Sequence, residues 1–275
     1  MHPFSQIDVF TSKLTEGNAL AVVHDADDLT DDQMAAFARW TNLAETTYLL
    51  RPTSDADYRV RIFTTQRELP FAGHPTLGSA RAWLEAGGTP RTPGEIVHEC
   101  GAGLIRIRQD GSRLAFAAPP LVRGGAVDEA DLRRVIDGLG VDPARVVDAT
   151  WADNGPGWIA VLLDSAETVL ALEPDRARFG DNNRVGVVGP RPEGSETAFE
   201  IRAFTSGPGG EDPVTGSLNA SIAQWLIGTG RAPSSYVASQ GTVLRRGGRI
   251  HVDQVGNDIW VGGETVVGIG GTVAL

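Results

Sequence analysis

Apolar and polar residues alternate strictly through residues 58–64, YRVRIFT, and well enough through residues 5–11, SQIDVFT, to predict strands. Successive side chains of a strand point to opposite faces, so alternation marks a half-buried one. Leu20 to Val23 reads as the neighbour of the first strand after a turn at Gly17-Asn18. The period changes at Thr30. Thr30 and Gln33 fit a capping box, and Met34, Phe37, Ala38 and Trp40 then recur at helical spacing. A turn from Asn42 to Tyr48 runs into a strand ending near Leu50, and a helix from His74 to about Leu84 ends by Gly87-Gly88. Strands are expected over residues 95–99, 103–109 and 113–117.

Ala118-Pro119-Pro120 interrupts both helix and ladder and is the expected boundary between lobes, 1–118 and 119–275. Beyond it come an amphipathic helix over 128–139, a buried strand over 158–163 and strands over 183–188 and 198–205. A helix from Asp212 to about Ile227 is stopped by Gly228, and short strands at Val243, 250–252, 258–261 and 266–269 close the chain. The two halves share features in order: Arg61-Ile-Phe-Thr and Arg202-Ala-Phe-Thr, then Pro75 to Ser79 and Pro213 to Ser217, then Trp83-Leu84 and Trp225-Leu226. This is read as a duplicated α/β unit.

Composition removes several functions. A net charge of −11 with no basic stripe argues against nucleic acid. Cys100 is the only cysteine, which excludes an intrachain disulfide, and the five histidines show no HxxxH or HxH spacing, so no metal site is expected. The start, MHPFSQIDVF, lacks the features of a signal peptide, and no apolar run approaches a membrane span. A cytoplasmic protein without membrane contact is the expectation. The glycine-rich segments match neither a P-loop nor a Rossmann spacing, so no nucleotide is expected.

The stretch 205–220, TSGPGGEDPVTGSLNA, reads as a loop delivering Glu211 and Asp212 to a helix with Pro213 in its first turn. The free amides of Thr215, Gly216 and Ser217 would suit an anion, and the Ser217 hydroxyl would be open to a ligand. Residues 68–80, ELPFAGHPTLGSA, have the same grammar around His74. A histidine at a helix start is favoured in its neutral form, and it can cap its own helix or serve a substrate. Glu45 lies in a neutral run between a helix and a strand. It can be an exposed loop residue or, if desolvated, an acid/base with a raised pKa.

GNALAVV at 17–23, NLAETTYL at 42–49, RIFTTQRELPFAGHPTLGSA at 61–80, EDPVTGSLNA at 211–220 and SQG at 239–241 together resemble the phenazine-biosynthesis F (PhzF-like) isomerase family over nearly the whole length. The resemblance implies an α+β, diaminopimelate-epimerase-like fold: two pseudo-symmetric lobes, each a curled, mostly antiparallel sheet around a central helix, with the active site in the cleft between them. In this fold the final strand can return to the first lobe. By the same resemblance Glu45 is the catalytic acid/base. His74 and Asp212 hold the substrate, and Ser217 and the amides near Gly73 and Gly216 contact its carboxylate. The substrate is a small carboxylic acid, no cofactor or metal is needed, and a homodimer is expected. Ala19, Ala44 and Arg245 depart from the family pattern, and Ala44 weakens transfer of the phenazine substrate itself. The alternatives are a non-thiol racemase or epimerase of the same fold, since no pair of cysteines exists, and a non-catalytic small-acid-binding dimer.

Overall fold

The computed structural model describes residues 1–180, 184–205 and 210–275. The chain divides into two compact units, one made of residues 1–117 and 262–275, the other of residues 118–261.

In the first unit β1 (His2–Val9), β2 (Asn18–Val23), α1 (Asp31–Thr41), β3 (Thr46–Leu50), β4 (Tyr58–Phe63) and β5 (Glu68–Leu69) precede α2 (Gly73–Glu85); β6 (Glu95–Cys100), β7 (Gly103–Asp110) and β8 (Arg113–Ala117) follow it. β1 pairs antiparallel with β2, β2 parallel with β3, β3 antiparallel with β4, β4 parallel with β6, and β6, β7 and β8 form an antiparallel meander. The C-terminal strand, Asp258–Val273, pairs with both β1 and β8, so the sheet closes on itself. The alternating pattern of β4 matches its burial: Tyr58, Val60 and Ile62 point inward, Arg59 and Arg61 do not. The capping box at Thr30 and Gln33 is formed. Trp40, expected on the buried face of α1, is instead 79% exposed and stacks on Phe37 at 5.8 Å. It stands in the last turn, where the helical stripe has already left the core.

α2 is buried along most of its length, residues Gly73 to Ala80 without a break. A helix enclosed by a curled sheet needs no polar face, and small residues let strands approach it. A Cβ on Gly78 would lie 2.5 Å from the Leu20 side chain.

The second unit contains β9 (Arg123–Gly125), α3 (Glu129–Leu139), β10 (Val146–Asp153), β11 (Ile159–Leu163), α4 (Ala166–Leu170), β12 (Val185–Pro190), β13 (Phe199–Phe204) and β14 (Glu211–Asp212). α5 (Gly216–Gly228), β15 (Ser235–Gln240), β16 (Gly248–Val255) and the start of the C-terminal strand, now β17, complete it. From β10 onward the pairing repeats that of the first unit: β10 antiparallel with β11, β11 parallel with β12, β12 antiparallel with β13, β13 parallel with β15, β15 antiparallel with β16. β14 pairs with β13 as β5 does with β4.

The duplication is therefore present, but its register differs from that expected. The Pro75 and Pro213 helix starts are not equivalent. Glu68 lies opposite Phe63 and Glu211 opposite Phe204, and the helices begin at Gly73 and Gly216. The repeated motif is thus Glu68-x-Pro70-x-x-Gly73 and Glu211-x-Pro213-x-x-Gly216, and in each pair the residues are 143 apart. Pro213 precedes the helix rather than starting it, and Asp212 belongs to a strand. Pairing with β13 extends residues 211 and 212, which overrides the local helix-start signal. Residues 206–209 of the stretch 205–220, and Asn183 of the strand expected over 183–188, lie outside the described residues.

Three other expectations change. Val243 is not in a strand but in a 3-10 turn, Thr242–Leu244, between two left-handed residues, Gly241 (φ 91°) and Arg245 (φ 57°). Left-handed backbone favours glycine, so Arg245 holds a conformation that L side chains seldom adopt. Strands at 258–261 and 266–269 are one strand, and β10, β15 and α4 went unpredicted.

Each repeat carries the same ion pair on its β hairpin. Arg61 donates Nε and one Nη to Glu68 at 2.8 and 2.7 Å, and Arg202 does the same to Glu211 at 2.9 and 2.8 Å. The settings differ. Arg61 also reaches exposed Asp31, whereas the Arg202 side chain is 4% exposed, bonded to the Val169 and Leu172 carbonyls. Removing one partner of a buried pair strands the other charge and costs about 3–5 kcal/mol, against about 1 kcal/mol or less for an exposed pair. Glu211→Ala is expected to lower unfolding free energy by about 3 kcal/mol and Glu68→Ala by about 1 kcal/mol or less, measured by urea titration.

Candidate active site

Each unit brings together part of the expected residue set. In the first, Asn42 ends α1 in a left-handed conformation (φ 54°), and the Thr41 and Thr46 hydroxyls meet at 3.0 Å. These contacts fix the short crossing between α1 and β3 on which Glu45 sits. Glu45 is not an exposed loop residue: its side chain is 17% exposed and its Oε2 lies 3.5 Å from His74 Nε2.

His74 is the second residue of α2, buried, and it does not cap the helix. Ala72 stands at the cap position, and no side chain caps the first turn. Asn18 Nδ2 approaches the other ring nitrogen, Nδ1, at 3.3 Å. Asn18 opens β2 opposite Val9, and the preceding amide, Gly17, donates to buried Asp8 at 3.2 Å. A Cβ on Gly17 would lie 2.2 Å from the Val9 carbonyl oxygen, so only glycine fits this turn. Desolvation pushes the His74 pKa down to about 3, so the ring is neutral at physiological pH.

In the second unit the Thr215 hydroxyl donates to Asp212 Oδ2 at 2.6 Å. Gln240, the middle residue of the SQG segment, binds both ends of this turn. Its Nε2 donates to the Asp212 carbonyl and to Thr215 Oγ1, each at 3.0 Å, while its Oε1 accepts from the Thr215 amide at 3.0 Å and Asn219 Nδ2 at 2.8 Å. Gly216 is the first helical residue and Ser217 the second, again with no side-chain cap. The Ser217 hydroxyl is not wholly open to a ligand, because its oxygen accepts from Trp158 Nε1 at 3.1 Å. Asn154 holds the Ser217 carbonyl at 2.9 Å.

Glu45, His74 and Gly73 thus cluster in one unit, and Asp212, Gly216 and Ser217 in the other. Sequence reasoning missed Asn18, Trp158 and Gln240 as supporting residues, and the Thr215 amide expected to be free for an anion is instead bonded to Gln240 Oε1. A signal existed for two of them: a polar or N–H-bearing side chain beside a buried strand must find a partner. Among the described residues no three His, Cys, Asp or Glu side chains gather as for a metal ion, and no helix is long and apolar enough to cross a membrane.

The fold is that of the diaminopimelate-epimerase-like proteins, two α/β repeats each with a sheet curled about a buried helix. Within that class, residues 7–271 match the family described as phenazine biosynthesis-like protein, and the chain belongs to it. It is 35% identical to antisense-enhancing sequence 1 of Schizosaccharomyces pombe over 98% of both chains. It is 31% identical to the trans-2,3-dihydro-3-hydroxyanthranilate isomerase of Pseudomonas aeruginosa, over 100% of this chain and 98% of that one. A crystal structure of a Bacillus anthracis phenazine biosynthesis protein of the PhzF family superposes with a TM-score of 0.84 at 19% identity, covering 100% and 99% of the two chains.

The buried histidines set an acid limit on stability. His98, bonded to the Tyr58 hydroxyl at 3.2 Å, is also held down to about 3 by desolvation. Both rings are neutral when folded but protonate near 6.5 when unfolded. Between about pH 3 and 6.5 the unfolded chain binds more protons, so stability falls as pH falls through that window. The urea midpoint is expected to drop steadily from pH 7 to pH 4, and the drop should flatten in His74→Gln/His98→Gln.

Proposed function

We propose that this chain is a cofactor-independent isomerase that moves a proton from one carbon to another within a small, unsaturated carboxylic acid. The observation that carries the reading is the half-buried Glu45 carboxylate 3.5 Å from a buried, neutral histidine. As a carboxylate, Glu45 takes a proton from a carbon made acidic by conjugation. The electron pair left behind delocalises toward the substrate's carbonyl or carboxylate as an enolate. Glu45, whose carboxyl proton exchanges with solvent, then delivers a proton to a different carbon, the double bond shifts, and the substrate's atom count is unchanged.

His74 and Asp212 hold and polarise the substrate, and Ser217 with the amides near Gly73 and Gly216 contacts its carboxylate. General acid/base transfer contributes about 10²–10⁴-fold in rate. Donors aimed at the developing charge supply a further share. The relative named trans-2,3-dihydro-3-hydroxyanthranilate isomerase suggests cyclic, unsaturated amino acids as the substrates to try first.

Incubation of such a panel in heavy water is the test. Isomerisation places deuterium on a carbon that bore no hydrogen at that position in the substrate, whereas epimerisation labels the original carbon; both are read by proton NMR. Glu45→Gln should lower turnover by at least about 100-fold while leaving the melting temperature within a few degrees. Full turnover by Glu45→Gln would refute the assignment, and binding without exchange across the panel would point to a non-catalytic acid-binding protein.

Thiol chemistry is not part of this reading. Cys100 is buried at the end of β6, and desolvation raises its pKa. Cys100→Ser is expected to retain turnover within about twofold, since a buried thiol kept protonated is inert.

A further inference from the structure

The second residue of each central helix carries a hydrogen-bond acceptor, and in each unit a side-chain N–H is turned toward it. Asn18 Nδ2 lies 3.3 Å from His74 Nδ1, and Trp158 Nε1 lies 3.1 Å from Ser217 Oγ. An amide nitrogen and an indole nitrogen have hydrogens to give and no lone pair to offer. With the Asn18 amide oriented this way, His74 Nδ1 is the unprotonated nitrogen of the ring, and its single proton sits on Nε2, facing Glu45 Oε2 at 3.5 Å. Ser217 is likewise left with its own hydroxyl hydrogen to donate.

Asn18 is built for this task. It is 2% exposed at the first position of β2, where an amide is costly unless bonded. Its approach is set by the strand pairing to Val9 and by the Gly17 turn anchored on Asp8.

We propose that Asn18 is a positioning residue that fixes His74 as the tautomer protonated on Nε2, so that the histidine meets substrate as a hydrogen-bond donor. The role in turnover rests on the isomerase reading above; the tautomer itself does not. A donor at this place stabilises negative charge developing on the substrate, while the opposite tautomer would turn a lone pair toward both Glu45 and that charge. Trp158 shows the same arrangement acting on Ser217.

The test is nitrogen-15 NMR of protein labelled in histidine, with the His74 signals identified as those lost in His74→Gln. In the unmodified protein Nε2 should be protonated and Nδ1 not. The same pattern should persist in Glu45→Gln, where the carboxylate no longer biases the ring. In Glu45→Gln/Asn18→Leu a population protonated on Nδ1 should appear. On an identified substrate, Asn18→Leu alone should lower kcat on the order of 10-fold with KM little changed, the signature of a donor that acts in the transition state. Asn18→Ser, which keeps a donor, should recover part of the loss. Protonation on Nδ1 in the unmodified protein would overturn the proposal whatever the variants do. So would an Nε2 proton unmoved by Asn18→Leu in the Glu45→Gln background. Absence of any carbon exchange would count against the isomerase reading and leave the tautomer result standing.

Discussion

The first turn of each central helix is buried without a capping side chain, and much of each unit answers to that constraint. A helix start exposes amides that have no partner within the helix. Neither Ala72 nor Thr215 caps its helix with a side chain. Polar groups from elsewhere converge instead on the second helical residue and the turn before it: Asn18 on His74, Trp158 on Ser217, Gln240 on Thr215 and Asp212. Such a place is costly for a charged histidine, which is why burial leaves His74 neutral, and it is suited to donors aimed at an anion.

The duplication shows how one frame carries different chemistry. Both repeats keep the arginine–glutamate hairpin, the proline and the glycine that opens the helix. At the positions between, Leu69 corresponds to Asp212 and His74 to Ser217. The conserved parts of the frame hold the hairpin against the helix start. The variable parts place an imidazole in one unit and a carboxylate and a hydroxyl in the other. The ion pair itself has diverged in setting, half-exposed in the first unit and buried against backbone carbonyls in the second.

Much of this was legible along the chain. The alternation in β4, the capping box of α1 and the α3 helix are local patterns, and local physics governs them. Glu45, His74, Gly73, Asp212, Gly216 and Ser217 were singled out by residue type, position and family motif. The second helix start was misplaced because Asp212-Pro213 is locally a good helix beginning, yet its backbone bonds to β13. Trp40 fits the helical stripe by spacing, but nothing in spacing reveals where the core ends. β17 was broken in two because its glycines look like a turn, although a Cβ at Gly262 would meet the Leu114 carbonyl oxygen at 2.3 Å.

By itself the sequence determined the repeated α/β elements and the exclusion of an intrachain disulfide, since these follow from periodicity and from a single cysteine. Only the tertiary structure decided which polar atoms meet. Asn18 and His74, 56 positions apart in sequence, come within 3.3 Å, and Trp158 meets Ser217 across a separation of 59. Hydrogen-bond polarity at a buried site depends on such long-range pairings, set by strand register and helix packing, and no local pattern encodes them.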